Sequence, residues 1–369
     1  MRVVLNPLAS RMDYSEREAL VVCRDSAQQA QREISSWPDY RVTPLRSLPA
    51  LAARLNIRSL LYKDESDRLG QGSFKTLGGA YAATLKLRTL RADSPVTLCC
   101  ATDGNHGRSV AYAARRHGCA CVVFMHRHAP ASKEIAIAGL GASVIRVPGT
   151  YDDSVRHAHK VAEENGWILV ADTSDDALNL TTRHVIQGYG VMVLEVIDQL
   201  ANESPPSHVF VQAGVGGFAA AVAGVFADAY GKRRPRLIVV EPEAAACLQQ
   251  SALRGMPSKV DGDLHTVMAM LSTGEASAVA WPVLQQRADA FISIADEAAL
   301  QALHDVGIAA GEGGLDVGIS GVAGIAGLIE VLKHPEVAGM LEIQAASTVL
   351  VFGTERGHDT PPEADSATR

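Results

Sequence analysis

Short apolar runs alternate with helical patterns through most of this chain, and that alternation narrows the fold more than any other feature. Val96–Cys100 has the pattern of a buried strand, and Arg108–His117 that of a helix stopped by Gly118. Cys119–Met125 is the next strand, followed by a helix over Ser132–Leu140, a strand over Ser143–Val147, a helix over Asp152–Asn165 and a strand over Ile168–Ala171. These strands are apolar on both faces, the pattern of a parallel sheet covered by helices on each side. A long helix over Thr182–Leu200 intervenes, and the alternation resumes with His208–Gln212, Gly217–Tyr230 and Arg236–Val240. Phe291–Ile294 and Thr348–Phe352 are later strands, with helices near Glu297–Gly307 and Val322–Leu332 between them. The expected fold is α/β, two-lobed, each lobe a mainly parallel sheet flanked by helices. Residues 80–185 are expected to form a smaller, mobile lobe, and residues 1–79 with 186–369 a larger, anchoring one.

A chain of 369 residues is long enough for two such lobes, because single cores stop growing at about 250–300 residues. A hydrophobic content of 47% with 20% charged residues places it among ordinary globular proteins rather than disordered ones. A net charge of -7 leaves no basic footprint for nucleic acid. No apolar run approaches the roughly 20 residues of a membrane span, and Met1–Leu8 lacks a secretory signal's apolar segment. A cytoplasmic location is therefore expected. Cys23, Cys99, Cys100, Cys119, Cys121 and Cys247 follow no metal-binding spacing and read as buried reduced thiols. His126 and His128 alternate at a strand end with no third ligand, so no metal site is expected. The stretch His358–Arg369 reads as a loose polar tail.

The chemistry concentrates in three short motifs. In the first, Gly70, Gly72 and Ser73 suggest a turn and N-cap for a helix with Lys75 in its first turn. The positive end of that helix is expected to lower the amine's pKa and favour the neutral nucleophile. Taken alone, such a lysine is ordinary solvated surface. The second motif is Thr102-Asp103-Gly104-Asn105-His106-Gly107, a polar turn carrying a carboxylate. The third, Ala213-Gly214-Val215-Gly216-Gly217-Phe218, lies between a strand and a helix. Its backbone N–H groups, with the helix N-terminus behind them, suit a phosphate without needing a cation. Glycines there also serve close helix–strand packing.

In this order the motifs resemble the fold-type II pyridoxal phosphate (PLP) enzymes, the group of threonine dehydratase and cysteine synthase. More narrowly, the chain resembles the diaminopropionate ammonia-lyases over most of its length. The resemblance rests on Thr43-Pro44-Leu45, Lys63-Asp64-Glu65-Ser66, Phe74-Lys75 with Leu77-Gly78-Gly79, and the Asp103 motif. It continues through Ala171-Asp172-Thr173, Gln187-Gly188-Tyr189, Gly262-Asp263-Leu264, Thr266-Val267-Met268-Ala269 and Gly353-Thr354-Glu355. Ordinary dehydratases usually carry a small residue such as serine before Gly-Asn-His, and often arginine where Leu77 stands.

The resemblance implies α,β-elimination of D- or L-2,3-diaminopropionate to pyruvate and two ammonia, in a homodimer. It implies that Lys75 binds the cofactor aldehyde and Asn105 the ring hydroxyl. It assigns the phosphate to Gly214, Val215, Gly216 and Gly217, and the pyridine nitrogen to Thr354. Asp103 matches the base for the D-substrate and Asp172 the base for the L-substrate, while Ser73, Thr102 and His106 are expected near substrate. On their own, Asp103 also suits a turn and Asp172 a helix cap. Tyr151 and Tyr189 are expected to be packing residues. The chain departs from the family pattern at Ser174-Asp175-Asp176, Met270 and Arg356, which are expected at the substrate end of the crevice. A serine, threonine or hydroxyaspartate dehydratase of the same fold is the alternative.

Overall fold

Among the described residues, eleven strands form two sheets. The computed structural model describes residues 1–90, 95–102, 104–127, 129–149, 151–309 and 314–357. Asp103, His128 and the tail from His358 lie outside the described residues. The strands are β1 (Arg2–Leu5), β2 (Leu45–Ser47), β3 (Ser59–Asp64), β4 (Thr97–Ala101), β5 (Ala120–His126) and β6 (Ser143–Val147). They continue with β7 (Ile168–Leu169), β8 (His208–Gln212), β9 (Arg236–Pro242), β10 (Ala290–Ile294) and β11 (Thr348–Gly353). The larger sheet runs β1-β10-β9-β8-β11-β3-β2 and the smaller β6-β5-β4-β7. The smaller sheet is parallel throughout. In the larger, β10 through β3 are parallel, while the edge strands β1 and β2 run antiparallel to their neighbours. β8, β9 and β10 are buried along almost their whole lengths, as helix cover on both faces requires.

The two sheets share a core. One cluster of buried residues joins Leu98, Cys100 and Val123 of the smaller sheet with Val209, Val239 and Phe352 of the larger. The expected boundaries at 79/80 and 185/186 both fall inside continuous helices, Lys75–Arg88 and Leu180–Gln199. These helices meet through glycine. A Cβ on Gly78 would lie 2.4 Å from the Tyr189 ring, and one on Gly188 would lie 2.3 Å from the Leu77 carbonyl. The Leu77-Gly78-Gly79 run is thus a packing surface that brings the Lys75 helix against Tyr189.

The segment leading into Lys75 is held by buried charge. Arg68 donates to both oxygens of Glu65 (2.7 and 2.8 Å) and both oxygens of Glu195 (2.7 Å each). Lys63 donates to Glu195 at 2.7 Å and to the Thr43 carbonyl at 2.7 Å. The Thr43 hydroxyl closes the cluster on Glu65 at 2.6 Å, and Tyr40 reaches Glu195 at 3.0 Å. Two cations face two carboxylates, so the cluster is neutral and well hydrogen-bonded, which is the condition under which buried charge is tolerated. It ties β3 and the turn after it to the Leu180–Gln199 helix. Replacing Arg68 by methionine leaves Glu65 and Glu195 with Lys63 as their one cation, a buried net negative charge, and should cost about 3–5 kcal/mol of stability in urea denaturation. The double replacement Arg68→Met with Glu195→Gln should cost less than the single one.

Candidate active site

The cavity with the richest chemistry lies where loops from both sheets converge. Its wall includes Ser73, Lys75, Thr102, Asn105, His106, Asp172, Gly214 through Gly217, and Thr354. These residues come from five separate stretches of chain, and the fold places them around one space. Gln212, Thr273, Glu355, Met270, Tyr151 and Tyr189 complete much of the lining.

Lys75 opens the Lys75–Arg88 helix, with Phe74 as N-cap. Ser73 stands one residue earlier, and its hydroxyl accepts the Lys75 backbone N–H at 3.3 Å. An extension of β11 pairs with the approach to the helix. Phe74 N–H donates to the Thr354 carbonyl at 3.2 Å, Arg356 N–H donates to the Gly72 carbonyl at 3.0 Å, and Ser73 bridges Glu355. This pairing sets Lys75 beside Thr354. Arg356 also donates to the Ser66 carbonyl at 3.0 Å and to Asp67 at 3.1 Å. The guanidinium therefore clamps the turn before Lys75 and is absent from the cavity wall, contrary to expectation. Of the three departures from the family pattern, only Met270 lines the cavity.

The Lys75 amine donates to Asp172 Oδ2 at 2.7 Å, with side chains 23% and 13% exposed. Burial pushes the amine's pKa down, but the charge of Asp172 outweighs burial and raises it above the ordinary lysine range. This corrects the expectation that the helix end leaves the amine neutral. Burial likewise opposes ionisation of Asp172, and Lys75 overrides it, holding the carboxyl well below the usual range. Asp172 caps no helix, since Asn179 caps Leu180–Gln199 through a bond to Thr182 N–H.

Asn105 and His106 lie in the first turn of the Asn105–His117 helix. Asn105 donates through Nδ2 to Glu355 at 2.7 Å and accepts from Lys133 at 3.3 Å. Thr102 accepts the N–H groups of Gly104 (2.9 Å) and Gly107 (3.3 Å), so its oxygen organises that turn. His106 Nε2 lies 2.8 Å from the Val170 carbonyl, and its Nδ1 lies 3.9 Å from Asp172 Oδ2.

The glycine loop, between β8 and the helix Gly217–Tyr230, lines the same cavity. That helix begins with Gly216 at φ 102° and has no side-chain cap, leaving its first-turn N–H groups available to an anion. A Cβ on Gly216 would meet Leu284 at 2.9 Å as well as requiring the left-handed backbone. Behind the loop, the Gln212 Nε2 atom donates toward Thr354 Oγ1 (2.9 Å) and the carbonyls of Gly321 (3.0 Å) and Phe352 (2.9 Å). An amide NH₂ cannot accept, so the Thr354 hydroxyl must direct its own hydrogen elsewhere. An amine, an uncapped glycine cradle and a hydroxyl donor in one cavity suit an aldehyde-phosphate cofactor with a ring nitrogen. Among the described residues no cluster of His, Cys, Asp or Glu suits a metal ion.

Residues 37–352 match the family model described as pyridoxal-phosphate dependent enzyme. The chain belongs to that family. The diaminopropionate ammonia-lyase of Salmonella typhimurium is 36% identical over 88% of this chain and 87% of its own length. A crystal structure of the Escherichia coli diaminopropionate ammonia-lyase, in complex with an aminoacrylate-PLP azomethine reaction intermediate, superposes with a TM-score of 0.88. That match has 32% identity and covers 96% of this chain and 93% of the other. The Haemophilus influenzae L-threonine dehydratase is more distant, at 28% identity over 91% of this chain and 60% of that one. The fold is that of the fold-type II PLP enzymes, and the cofactor is PLP.

Sequence reasoning passed over several wall residues. Tyr189 packs on Phe74 with centroids 4.7 Å apart and also faces the cavity; its place in the Gln187-Gly188-Tyr189 motif was the available signal. Tyr151, expected to pack, also lines the cavity. Gln212 and Thr273 carried no signal at all. Replacing Asp172 by asparagine removes the charge that holds the Lys75 amine protonated and leaves burial to dominate. In the full-length apoprotein, amine-directed acylation of Lys75 should then proceed at lower pH than in the wild type, read by peptide mass spectrometry.

Proposed function

We propose that this protein is a diaminopropionate ammonia-lyase, removing ammonia from 2,3-diaminopropionate to give pyruvate and a second ammonia. The observation that carries this is the Lys75–Asp172 pair lining one cavity with an uncapped glycine loop. Kinship with the named ammonia-lyases over most of the chain supports the substrate. Bound PLP supplies an aldehyde for the substrate amine and an electron sink for the Cα electron pair.

The chain supplies position and proton transfer. Lys75 is the amine that carries the cofactor. Gly214, Val215, Gly216 and Gly217 offer backbone donors to its phosphate, and Asn105 takes the ring hydroxyl. Thr354, whose oxygen is already faced by Gln212, directs a neutral hydroxyl at the ring nitrogen. A neutral partner leaves that nitrogen largely unprotonated, which favours expulsion of the β-group. Asp172 takes the Cα proton of the L-substrate and Asp103 that of the D-substrate. Ser73, Thr102 and His106 border the substrate side. A cytoplasmic homodimer is proposed on the family pattern, and no helix among the described residues is long and apolar enough to cross a membrane.

The test is purified protein with added PLP, assayed on both diaminopropionate enantiomers, serine, threonine and hydroxyaspartate. Two ammonia per pyruvate are expected from diaminopropionate. A preference for serine or threonine, with one ammonia per keto acid, would assign a dehydratase instead. Asp172→Asn should lower turnover of the L-enantiomer by about 10²–10⁴ and spare the D-enantiomer, with Asp103→Asn doing the reverse. Lys75→Ala should stay colourless with PLP and resist borohydride tagging. Light scattering that gives the mass of one chain speaks against the dimer.

A further inference from the structure

Among the described residues lining the cavity, His106, Tyr189, Gln212 and Thr273 each carry a buried polar atom without a hydrogen-bond partner, and of these only His106 Nδ1 lies beside the proposed base. His106 is 4% exposed, and its Nδ1 has no hydrogen-bond partner. The other ring nitrogen settles which tautomer is present. Nε2 lies 2.8 Å from the Val170 carbonyl, and a carbonyl oxygen only accepts, so Nε2 must carry the hydrogen. The reverse tautomer would press two lone pairs together at that distance. Burial lowers the imidazole's pKa, against the pull of Asp172, so the ring is held neutral and Nδ1 is a bare lone pair. That lone pair faces Asp172 Oδ2 at 3.9 Å, the same oxygen that Lys75 engages.

We propose that His106 is a positioning residue for Asp172, accepting a hydrogen bond from its carboxyl once that group has taken the substrate proton. This rests on the proposed role of Asp172 as base for the L-enantiomer. In the loaded enzyme Lys75 would bond to the cofactor until the substrate amine displaces it, and His106 Nδ1, 3.9 Å from Asp172 Oδ2, is then an acceptor toward that oxygen beside the released Lys75 amine. The Cα–H bond breaks, its electron pair stays with substrate and cofactor, and an O–H bond forms at Asp172. A shift of about 1 Å brings that hydroxyl to Nδ1 at ordinary hydrogen-bond distance. The same proton then passes to the departing β-nitrogen, which leaves as ammonia and restores the carboxylate. A bare lone pair beside an anion is mildly repulsive, and beside the neutral acid it is attractive. His106 therefore favours protonation of Asp172, the change a general base must undergo.

Two substitutions separate this role from a purely structural one. His106→Asn places an amide oxygen near the Nδ1 position and gives up the bond to Val170. His106→Gln keeps a donor for Val170 and gives up the acceptor toward Asp172. In the PLP-loaded enzyme, His106→Gln should lower kcat on L-diaminopropionate about 10- to 100-fold and change D-diaminopropionate less than about threefold. His106→Asn should recover much of the L-activity. Among the described residues, the titratable groups facing Asp172 are Lys75 and Tyr189 from the flanking helices, Cys100 from β4, and His106 itself. Losing the acceptor destabilises protonated Asp172, so the acid limb of kcat/KM for the L-enantiomer should move to lower pH in His106→Gln. Nitrogen-15 NMR of histidine-labelled full-length protein, without and with PLP, should show His106 hydrogen on Nε2 and none on Nδ1. Equal losses on both enantiomers, or activity kept by His106→Gln and lost by His106→Asn, would overturn the inference. So would a protonated Nδ1, whatever the substrate proves to be. A wild-type enzyme active on the D-enantiomer alone removes the base on which the inference rests, whereas inactivity on both defeats the proposed function instead.

Discussion

Four charges with no contact with solvent hold up the catalytic segment of this protein. Lys63, Glu65 and Arg68 come from one stretch of chain and Glu195 from a helix more than a hundred residues later. Each ion alone would cost several kcal/mol to bury, so the cluster tolerates only the arrangement in which every charge is matched. That requirement makes it a register device. The strand β3, the turn after it and the Leu180–Gln199 helix can meet in one way, and Lys75 is delivered to the cavity as a result.

From that anchor the site is built by backbone contact more than by side-chain fit. The stretch around Ser73 pairs with the stretch around Glu355, so the amine and the Thr354 hydroxyl share one wall. Gly78 and Gly188 let two helices approach to a distance that no larger residue allows, bringing Tyr189 over the amine. Another part of the wall is a loop in which Gly216 adopts a left-handed turn and the helix behind it lacks a side-chain cap. The joined Lys75–Asp172 pair and the glycine loop then line one cavity.

Much of this was legible along the chain, and the exceptions have physical reasons. The helix Gly217–Tyr230 is found at its expected bounds, because an apolar run with glycine at each end leaves little freedom. The Asn105–His117 helix begins three residues earlier than its periodicity indicates, since Thr102 caps the turn where polar residues suggested a loop. The strand expected over Ile168–Ala171 shrinks to Ile168–Leu169, because beyond it the chain turns to present the Val170 carbonyl to His106. The strands β1, β2 and β3 were not foreseen, and β1 and β2 are short antiparallel edges paired to β10 and β3. Arg356 is the sharpest exception. Its neighbours in sequence point to the cavity, but its own side chain turns back to the Ser66–Asp67 turn, where a carbonyl and a carboxylate satisfy it.

By itself the order of residues determined the α/β class, the lysine, the glycine loop and the chemistry of the groups around them. Those properties follow from local periodicity, from backbone freedom at glycine and from functional groups that a side chain carries wherever it lies. Only the tertiary structure decided that the Lys75 amine meets a carboxylate 97 positions away and is held protonated by it. It also decided that His106 turns a bare nitrogen toward that carboxylate. Charge pairing and tautomer depend on distances between groups far apart in the chain, and such distances exist only once both sheets have packed around one core.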